Sequence, residues 1–198
     1  MALKSIYEVL ADLLDYPIVE RQLQSDECRV LLHTDSQSCL SHLTWFAGET
    51  ERRSLAELQE IYTRTFDLSP ICTLDIGYHL FGENYQRGVF LANLRETEAT
   101  FDLGQEHQLP DYLPVLLRLL ARLDDEELRT ALIGECMIPA LEKMLLTLSE
   151  GENPYRHLIE AVGLVLGSEP GIGSRSPART IRVRASLPVI QPAEQTQA

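Results

Sequence analysis

Residues 54 to 66 read SLAELQEIYTRTF and contain the clearest helix signal of the chain. Ser54 and Glu57 have the spacing of a capping box, in which each side chain binds the backbone N–H of the other residue at the first turn of a helix. Apolar residues then recur every three or four positions and share one helical face: Leu55, Leu58, Ile61, Tyr62 and Phe66. The segment therefore predicts an amphipathic helix packed on a core.

The same spacing recurs along most of the chain before residue 167, and no strand-like alternation competes with it. Pro110 and Asp111 are expected in the first turn of one helix, and Asn153 with Pro154 should cap and open another. We therefore predict an all-α fold, a single-domain helical bundle over residues 1–167. Helices are expected at 3–14, 36–47, 54–66, 87–99, 110–123, 124–149 with a joint near Pro139, and 153–166.

The charge of the chain is unevenly distributed. Residues 168–198 are rich in Gly, Ser, Pro and Arg, which predicts a flexible, disordered tail. This tail holds four arginines and two glutamates, a net charge of +2. Residues 1–167 therefore carry a net charge of −15, and the whole chain carries −13. Such an acidic body disfavours nucleic acid and anionic lipid and favours basic partners. A surface that only aids solubility has the same composition, and charge alone does not separate the two.

The first residues do not resemble a secretory signal, because Lys4, Glu8 and Asp12 interrupt the apolar positions at helical spacing. No apolar run approaches the roughly 20 residues that span a bilayer. The chain has four cysteines and no C-x-x-C pair, which indicates reduced thiols in the core. These features predict a soluble, cytoplasmic protein with no membrane insertion.

Four possible zinc ligands lie within fifteen residues, namely Cys28, His33, Cys39 and His42. Structural zinc sites usually begin with a close C-x₂₋₄-C pair, which is missing here. Cys39 and His42 are three positions apart and would share a helical face, but they supply only half of a site. We therefore expect core cysteines and surface histidines rather than a metal site.

Carboxylates are frequent around residues 65–111, which raises the possibility of acid–base catalysis. Two carboxylates must lie in different environments across a cleft for such chemistry, and nearness in sequence does not establish this. No nucleophile elbow, zinc-protease, P-loop or dinucleotide-binding motif is present. An enzyme is therefore the less favoured interpretation of these residues: Asp67, Asp75, Glu83, Asp102, Glu106 and Asp111.

The segment TFDLSPICTLDIGYHLFGENYQRG, residues 65–88, combines helix-breaking glycines and a proline with aromatic rings and carboxylates. Broken helices of this composition can form an apolar groove with an acidic rim, which suits a basic amphipathic helix. The alternative is that the aromatic residues only complete the core: Tyr62, Phe66, Tyr78, Phe81 and Phe90.

Several motifs together resemble a known family. YTRTFDLSP at 62–70, Tyr78, Gly82, the pair Arg87-Gly88, Leu91 and LPDYLP at 109–114 are similar to the NarJ-type delta-subunit chaperones of nitrate reductase, within the TorD/DmsD group of redox-enzyme maturation proteins. The resemblance extends from the first helix to about residue 166.

This resemblance implies an all-helical, cytoplasmic, monomeric assembly chaperone that is not an enzyme and holds no cofactor or metal of its own. It would bind the N-terminal segment of the nitrate reductase alpha subunit and keep that subunit competent for molybdenum cofactor insertion, with cofactor delivery proteins as further partners. Residues 65–88 would form one wall of the groove and LPDYLP the other. The implied contacts are Tyr62, Phe66, Asp67, Tyr78, Glu83, Arg87, Gly88, Leu109, Pro110, Asp111 and Tyr112.

Two alternatives stay open at this point. One is a chaperone that binds the twin-arginine leader of another molybdoenzyme, such as an S- or N-oxide reductase. The other, from a different class, is a helical metal-dependent hydrolase.

Overall fold

The computed structural model describes residues 5–18, 37–68, 72–104, 107–148 and 153–172. These residues form helices joined by short loops, with a single isolated β-bridge, between Asp75 and Tyr112, and no strand within the described ranges. The predicted all-α class is confirmed. The helices are α1 Ile6–Leu14, α2 Gln37–Glu51, α3 Leu55–Tyr62, α4 Ile76–Phe81, α5 Tyr85–Glu98, α6 Leu113–Leu120, α7 Glu126–Ala131, α8 Ile138–Thr147 and α9 Pro154–Gly167.

Helix α6 lies at the centre of the molecule. Its sequence, LPVLLRLL, is apolar on nearly every side, and every residue except Arg118 is buried. Helix α1 packs along it. Arg118 binds Asp12 at 3.1 Å and also Asp15, both from α1 or its end. The one charge of the central helix is therefore compensated where α1 crosses it.

Helices α2 and α9 form the most extensive helix pair of the fold. Ala161 and Val162 of α9 are fully buried, and small side chains at such positions let two helix backbones approach closely. The Cys39 thiol of α2 donates a hydrogen bond to the Ala161 carbonyl with a sulfur–oxygen distance of 3.8 Å. Asn153 caps α9 by accepting from the Tyr155 N–H, as its position before Pro154 predicts.

Two helices widen into π-helical turns. Helix α3 continues into the π-segment Thr63–Asp67, and α7 continues through the π-segment Leu132–Met137 into α8. Pro139 lies in the first turn of α8, and a proline cannot donate to the carbonyl four residues earlier. The predicted joint near Pro139 is therefore a widened turn in a continuous helical path.

The capping box predicted for α3 is present, since Ser54 accepts from the Glu57 N–H and Glu57 accepts from the Ser54 N–H. Several predicted boundaries differ from the observed ones, and α4 was not predicted. Helix α2 continues past Gly48 to Glu51, because an isolated glycine costs a helix only about 1 kcal/mol. Helix α6 begins at Leu113 instead of residue 110, since Tyr112 is extended and forms the β-bridge with Asp75.

The described part of the predicted tail, residues 168–172, contacts the helical body. Glu169 accepts hydrogen bonds from Arg129, at 3.1 Å from both Nε and Nη2, and from the Tyr7 hydroxyl. Ile172 packs against the hydrophobic core. We therefore place the proposed boundary between body and tail after residue 172; residues 173–198 lie outside the described ranges.

The cysteines that the structure describes, Cys39, Cys72 and Cys136, are free thiols. None of the helices described above has the combination of length and apolar composition that crossing a bilayer requires.

Candidate functional site

An open cleft of about 650 Å³ lies where four segments of the chain meet. Its walls come from the end of α1, from the end of α3 with the π-segment that follows, and from the loops that precede α4 and α6. Aromatic and acidic side chains predominate among the residues that line it: Asp15, Tyr16, Tyr62, Phe66, Asp67, Thr73, Leu74, Asp75, Gln108 and Tyr112.

The aromatic side of the cleft is a ring cluster anchored in the core. Tyr62 stacks edge-on against Tyr16 at 5.4 Å and against Phe66 at 5.0 Å between ring centroids. Its hydroxyl lies 2.9 Å from the hydroxyl of Tyr112 and donates to the Leu14 carbonyl at 3.2 Å. Tyr16 is 43% exposed, whereas Tyr62 and Phe66 are buried. The cluster therefore offers a fixed apolar surface with Tyr16 at its accessible edge.

Burial sets the protonation state of the two paired phenols. It raises the pKa of Tyr112 to about 12 and raises the pKa of Tyr62 further still. Both hydroxyls are therefore neutral at physiological pH. They act as hydrogen-bonding groups that position the rings, and neither is suited to serve as a base.

Three carboxylates border the cleft, and they differ in their partners. Asp15 pairs with Arg118, and Asp75 pairs with Arg87 at 3.1 Å. Asp67 is exposed and forms no ion pair with any residue in the described ranges. Partial burial raises the pKa of the Asp67 carboxyl. Asp67 is therefore the carboxylate of the cleft that is best placed to receive a positive charge from outside the molecule.

The π-segment explains why Asp67 reaches the cleft. An inserted π-turn adds a residue to the helical path and changes which side chains face a given side. Here the segment Thr63–Asp67 follows directly on Tyr62, so that Tyr62, Phe66 and Asp67 all line the same cleft. In an unbroken α-helix positions 62 and 67 would point about 140° apart, whereas the i→i+5 repeat of a π-turn brings residues five apart to the same side.

A second depression of about 340 Å³ adjoins the cleft and shares Tyr16 with it. Leu68, which is 79% exposed, lies at its edge. Tyr16 and Leu68 thus extend the apolar surface beyond the acidic cleft. The remaining residues of this depression are Gln59, Glu60, Thr63 and Arg64.

Comparison with known proteins assigns the chain to a family. The sequence model described as "nitrate reductase delta subunit" matches residues 31–148, more than half of the chain. The chain belongs to the nitrate reductase delta subunit family. It is also 26% identical over 171 residues to the probable nitrate reductase molybdenum cofactor assembly chaperone NarJ of Bacillus subtilis, and this alignment covers 85% of the chain and 90% of the relative.

A second relative is a longer protein. The nitrate reductase-like protein NarX of Mycobacterium tuberculosis is 29% identical over 136 residues, an alignment that covers 64% of the chain but only 21% of NarX. The predicted resemblance is therefore confirmed at the level of the family. The Bacillus subtilis relative, which the alignment covers almost fully, is named as an assembly chaperone, so the protein is not an enzyme, and the hydrolase alternative is wrong.

In this delta subunit family member, the two predicted walls are joined by their backbones. The Ile76 N–H donates to the Asp111 carbonyl at 2.8 Å, and the Leu113 N–H donates to the Leu74 carbonyl at 2.9 Å. The loop before α4 and the LPDYLP segment therefore form one unit. The end of α1, which the sequence did not assign to the site, supplies another border of the cleft.

Arg87 and Asp111, two predicted contact residues, form a largely buried ion pair beneath this bridge. Asp111 is fully buried, and it accepts from Arg87 Nε at 3.0 Å and from the Gly77 N–H at 3.1 Å. Burial raises the pKa of Asp111, and the hydrogen bond from Arg87 offsets part of the rise. Asp111 therefore holds the first turn of α4, not the start of its own helix as the sequence predicted.

The predicted contact residues fall into two groups. Four of them line the cleft together: Tyr62, Phe66, Asp67 and Tyr112. The others lie outside its lining. Glu83, Gly88 and Leu109 are exposed, the last at 41%, and Pro110 is buried. Arg87 and Asp111 form the ion pair described above, and Tyr78 lies beside the Arg87 guanidinium.

Several cleft residues were missed by the sequence reasoning. Asp15 and Tyr16 follow α1 and lie just beyond the helix predicted at 3–14. Thr73 and Leu74 lie within the predicted wall at 65–88 but were not among its named contacts, and Gln108 directly precedes the other wall. Which residues of these segments face the cleft depends on contacts between distant parts of the chain, so no local signal singles them out.

Proposed function

We propose that this protein is a system-specific assembly chaperone that binds the N-terminal segment of the nitrate reductase alpha subunit. It holds that subunit competent for molybdenum cofactor insertion before the enzyme is assembled at the membrane. It acts as a monomer in the cytoplasm, with cofactor delivery proteins as further partners. Its free cysteine thiols fit a reducing compartment.

The observation that carries this proposal is the cleft with an aromatic wall and an acidic border. A bound peptide helix needs apolar surface for affinity and complementary charge for orientation. Tyr16 provides accessible apolar surface, and Asp67 provides a carboxylate without a described ion-pair partner. The net charge of −13 adds long-range attraction for a basic segment.

The name of the Bacillus subtilis relative supports both the client and the process, because it specifies nitrate reductase and molybdenum cofactor assembly. Binding of a twin-arginine leader from another molybdoenzyme is the competing function within the same chemistry. Such a leader is also basic and apolar, so the cleft by itself accepts either ligand.

A matched pair of charge variants tests the cleft. Asp67→Asn removes the carboxylate of the cleft, and Asp124→Asn removes an exposed carboxylate from the loop between α6 and α7. Both change the net charge by the same amount. We expect Asp67→Asn to weaken binding of an alpha-subunit N-terminal peptide about 5- to 30-fold, since an interaction with a charged group contributes about 1–2 kcal/mol when partly desolvated.

Fluorescence anisotropy with a labelled peptide measures both variants under one condition. We expect Asp124→Asn to bind like the unmodified protein. Equal weakening by the two variants would show that general charge attracts the peptide and that the cleft does not bind it. Tighter binding of a leader peptide from an S- or N-oxide reductase would assign the chaperone to another client.

A further inference from the structure

Helices α2 and α9 bring three possible metal ligands together on the surface. His42 Nδ1 lies 2.9 Å from His157 Nδ1 and 3.0 Å from Glu160 Oε2, and the distance between His157 Nδ1 and that oxygen is 3.4 Å. His42 belongs to α2, and the other two residues belong to α9. None of the three lines the cleft, so this cluster is independent of the proposed peptide site.

Hydrogen bonding alone does not satisfy this arrangement. A neutral imidazole carries one N–H, and an ionised carboxylate carries only acceptors. One proton on either Nδ1 can serve its two neighbours, but the remaining nitrogen and the carboxylate oxygen then face each other as two acceptors at 3.4 Å or less. A proton on each Nδ1 lets both nitrogens donate to Glu160 Oε2, but it places two N–H groups against each other at 2.9 Å. A cation between the three atoms would remove this repulsion.

The separations match those of ligands around a zinc-sized ion. Bonds of about 2.0–2.1 Å in a tetrahedral site place neighbouring ligand atoms about 3.3 Å apart. The three observed distances of 2.9, 3.0 and 3.4 Å lie close to this value, and they leave a point about 2 Å from each atom. Two histidines and one glutamate also form a common ligand set for zinc.

The surroundings hold the ligands in place. Arg156 Nη2 binds the other carboxylate oxygen of Glu160 at 3.1 Å, which leaves Oε2 directed at the histidines. Trp45 lies against the His157 ring, with 4.0 Å between centroids. Outer contacts of this kind orient ligands in metal sites. The side chains of His42, Glu160 and His157 are 27%, 22% and 27% exposed, so a fourth position is open to solvent.

We propose that His42, His157 and Glu160 bind a divalent transition-metal ion of the Zn²⁺ type, which links α2 to α9. Cys39, which the sequence grouped with His42, instead contacts the Ala161 carbonyl. The two ligands of α9 are 115 and 118 positions away from His42 in the chain, so the sequence pattern could not reveal them. The other residues of the predicted group, Cys28 and His33, lie outside the described ranges.

Zinc titration of the untagged full chain, with affinity measured by calorimetry and stoichiometry by elemental analysis, tests the site. We expect one equivalent to bind. His42→Ala, His157→Gln and Glu160→Gln should each lower affinity at least about tenfold, since loss of a direct ligand costs no less than loss of an outer one. His107→Ala replaces an exposed histidine outside the cluster and should change nothing.

Two further readings make the result specific. Trp45 is the only tryptophan of the chain, and it lies against a ligand ring, so Co²⁺ binding should quench its fluorescence in the unmodified protein but not in Glu160→Gln. Zinc should raise the melting temperature of the unmodified protein by several degrees, because it binds only the folded state, and should leave that of His42→Ala unchanged.

Two results would overturn the proposal. If zinc binds neither tightly nor in a fixed ratio, the three side chains are linked only by hydrogen bonds and do not bind a metal ion. If zinc binding survives in His157→Gln but disappears in a Cys28→Ser, His33→Ala variant, the metal is bound elsewhere. The second variant also keeps the test decisive if one cluster variant fails to fold.

Discussion

Gly77 lies where a side chain has no room. A Cβ atom at this position would meet Asp111 Oδ2 at 2.6 Å and the Phe90 ring at 3.0 Å. Gly88, the fourth residue of α5, has nothing within 4 Å of an added Cβ. Gly82 has a positive φ of 62° and ends α4. Within residues 65–88, the absence of a side chain therefore allows close packing at Gly77 and a turn at Gly82.

This difference predicts opposite effects of the same substitution. Gly77→Ala should lower the free energy of unfolding by about 1–3 kcal/mol, because the new methyl group displaces the buried Asp111 carboxylate. Gly88→Ala should raise it by up to about 1 kcal/mol, because alanine favours a helix interior. Urea denaturation of the two variants measures both changes. A loss of stability in Gly88→Ala would contradict the open space seen there.

At the scale of the element, the turn after α9 fastens the end of the chain that the structure describes. Glu169 binds Arg129 and Tyr7, so that it joins the end of α9 to α7 and α1. Chains that end at Ile172 and at Gly167 should therefore differ. The first should keep its full stability, and the second should lose about 2 kcal/mol, since charge-assisted hydrogen bonds contribute about 1.5–3 kcal/mol each. Thermal and urea unfolding of both truncations tests the proposed boundary. Equal stability of the two truncated chains would place the boundary between body and tail at residue 167.

The same contact depends on pH. The hydrogen bond from Arg129 lowers the pKa of Glu169 in the folded protein. Its stabilising effect is therefore fully present above the unfolded-state pKa of about 4.3, and it is lost as the pH falls through the lower folded value. Glu169→Gln should have a lower free energy of unfolding than the unmodified protein at pH 7. This difference between the two proteins should disappear towards pH 3. A difference that stays constant with pH would show that the glutamate charge contributes nothing.

At the scale of the whole molecule, local sequence signals predicted most of the helices, though not α4, and did not predict how they meet. The capping box of Ser54 and the cap of Asn153 act within a few residues and were identified correctly. Asp111 was assigned to its own helix, whereas it binds Gly77, 34 positions earlier. The place of Tyr16 in the cleft was not predicted either, because it depends on contact with Tyr62, which belongs to a distant segment of the chain. Tertiary contacts of this kind leave no periodic pattern in the sequence.

The acidic charge of the molecule and the aromatic cleft make different demands on a ligand. Charge attracts any basic peptide and speeds association about 10- to 1000-fold at low salt. The cleft requires an apolar face in addition. Salt separates the two contributions, because the Debye length falls from about 10 Å at 0.1 M to about 3 Å at 1 M.

Isothermal titration of an alpha-subunit N-terminal peptide is the most direct test of the proposed function. A scrambled peptide with the same charge and no apolar face serves as the control, and both are titrated at 0.1 M and 1 M salt. We predict that the native peptide weakens with salt but still binds at 1 M, whereas the scrambled peptide binds poorly at both. Equal affinity of the two peptides would contradict the account and leave only a nonspecific acidic surface.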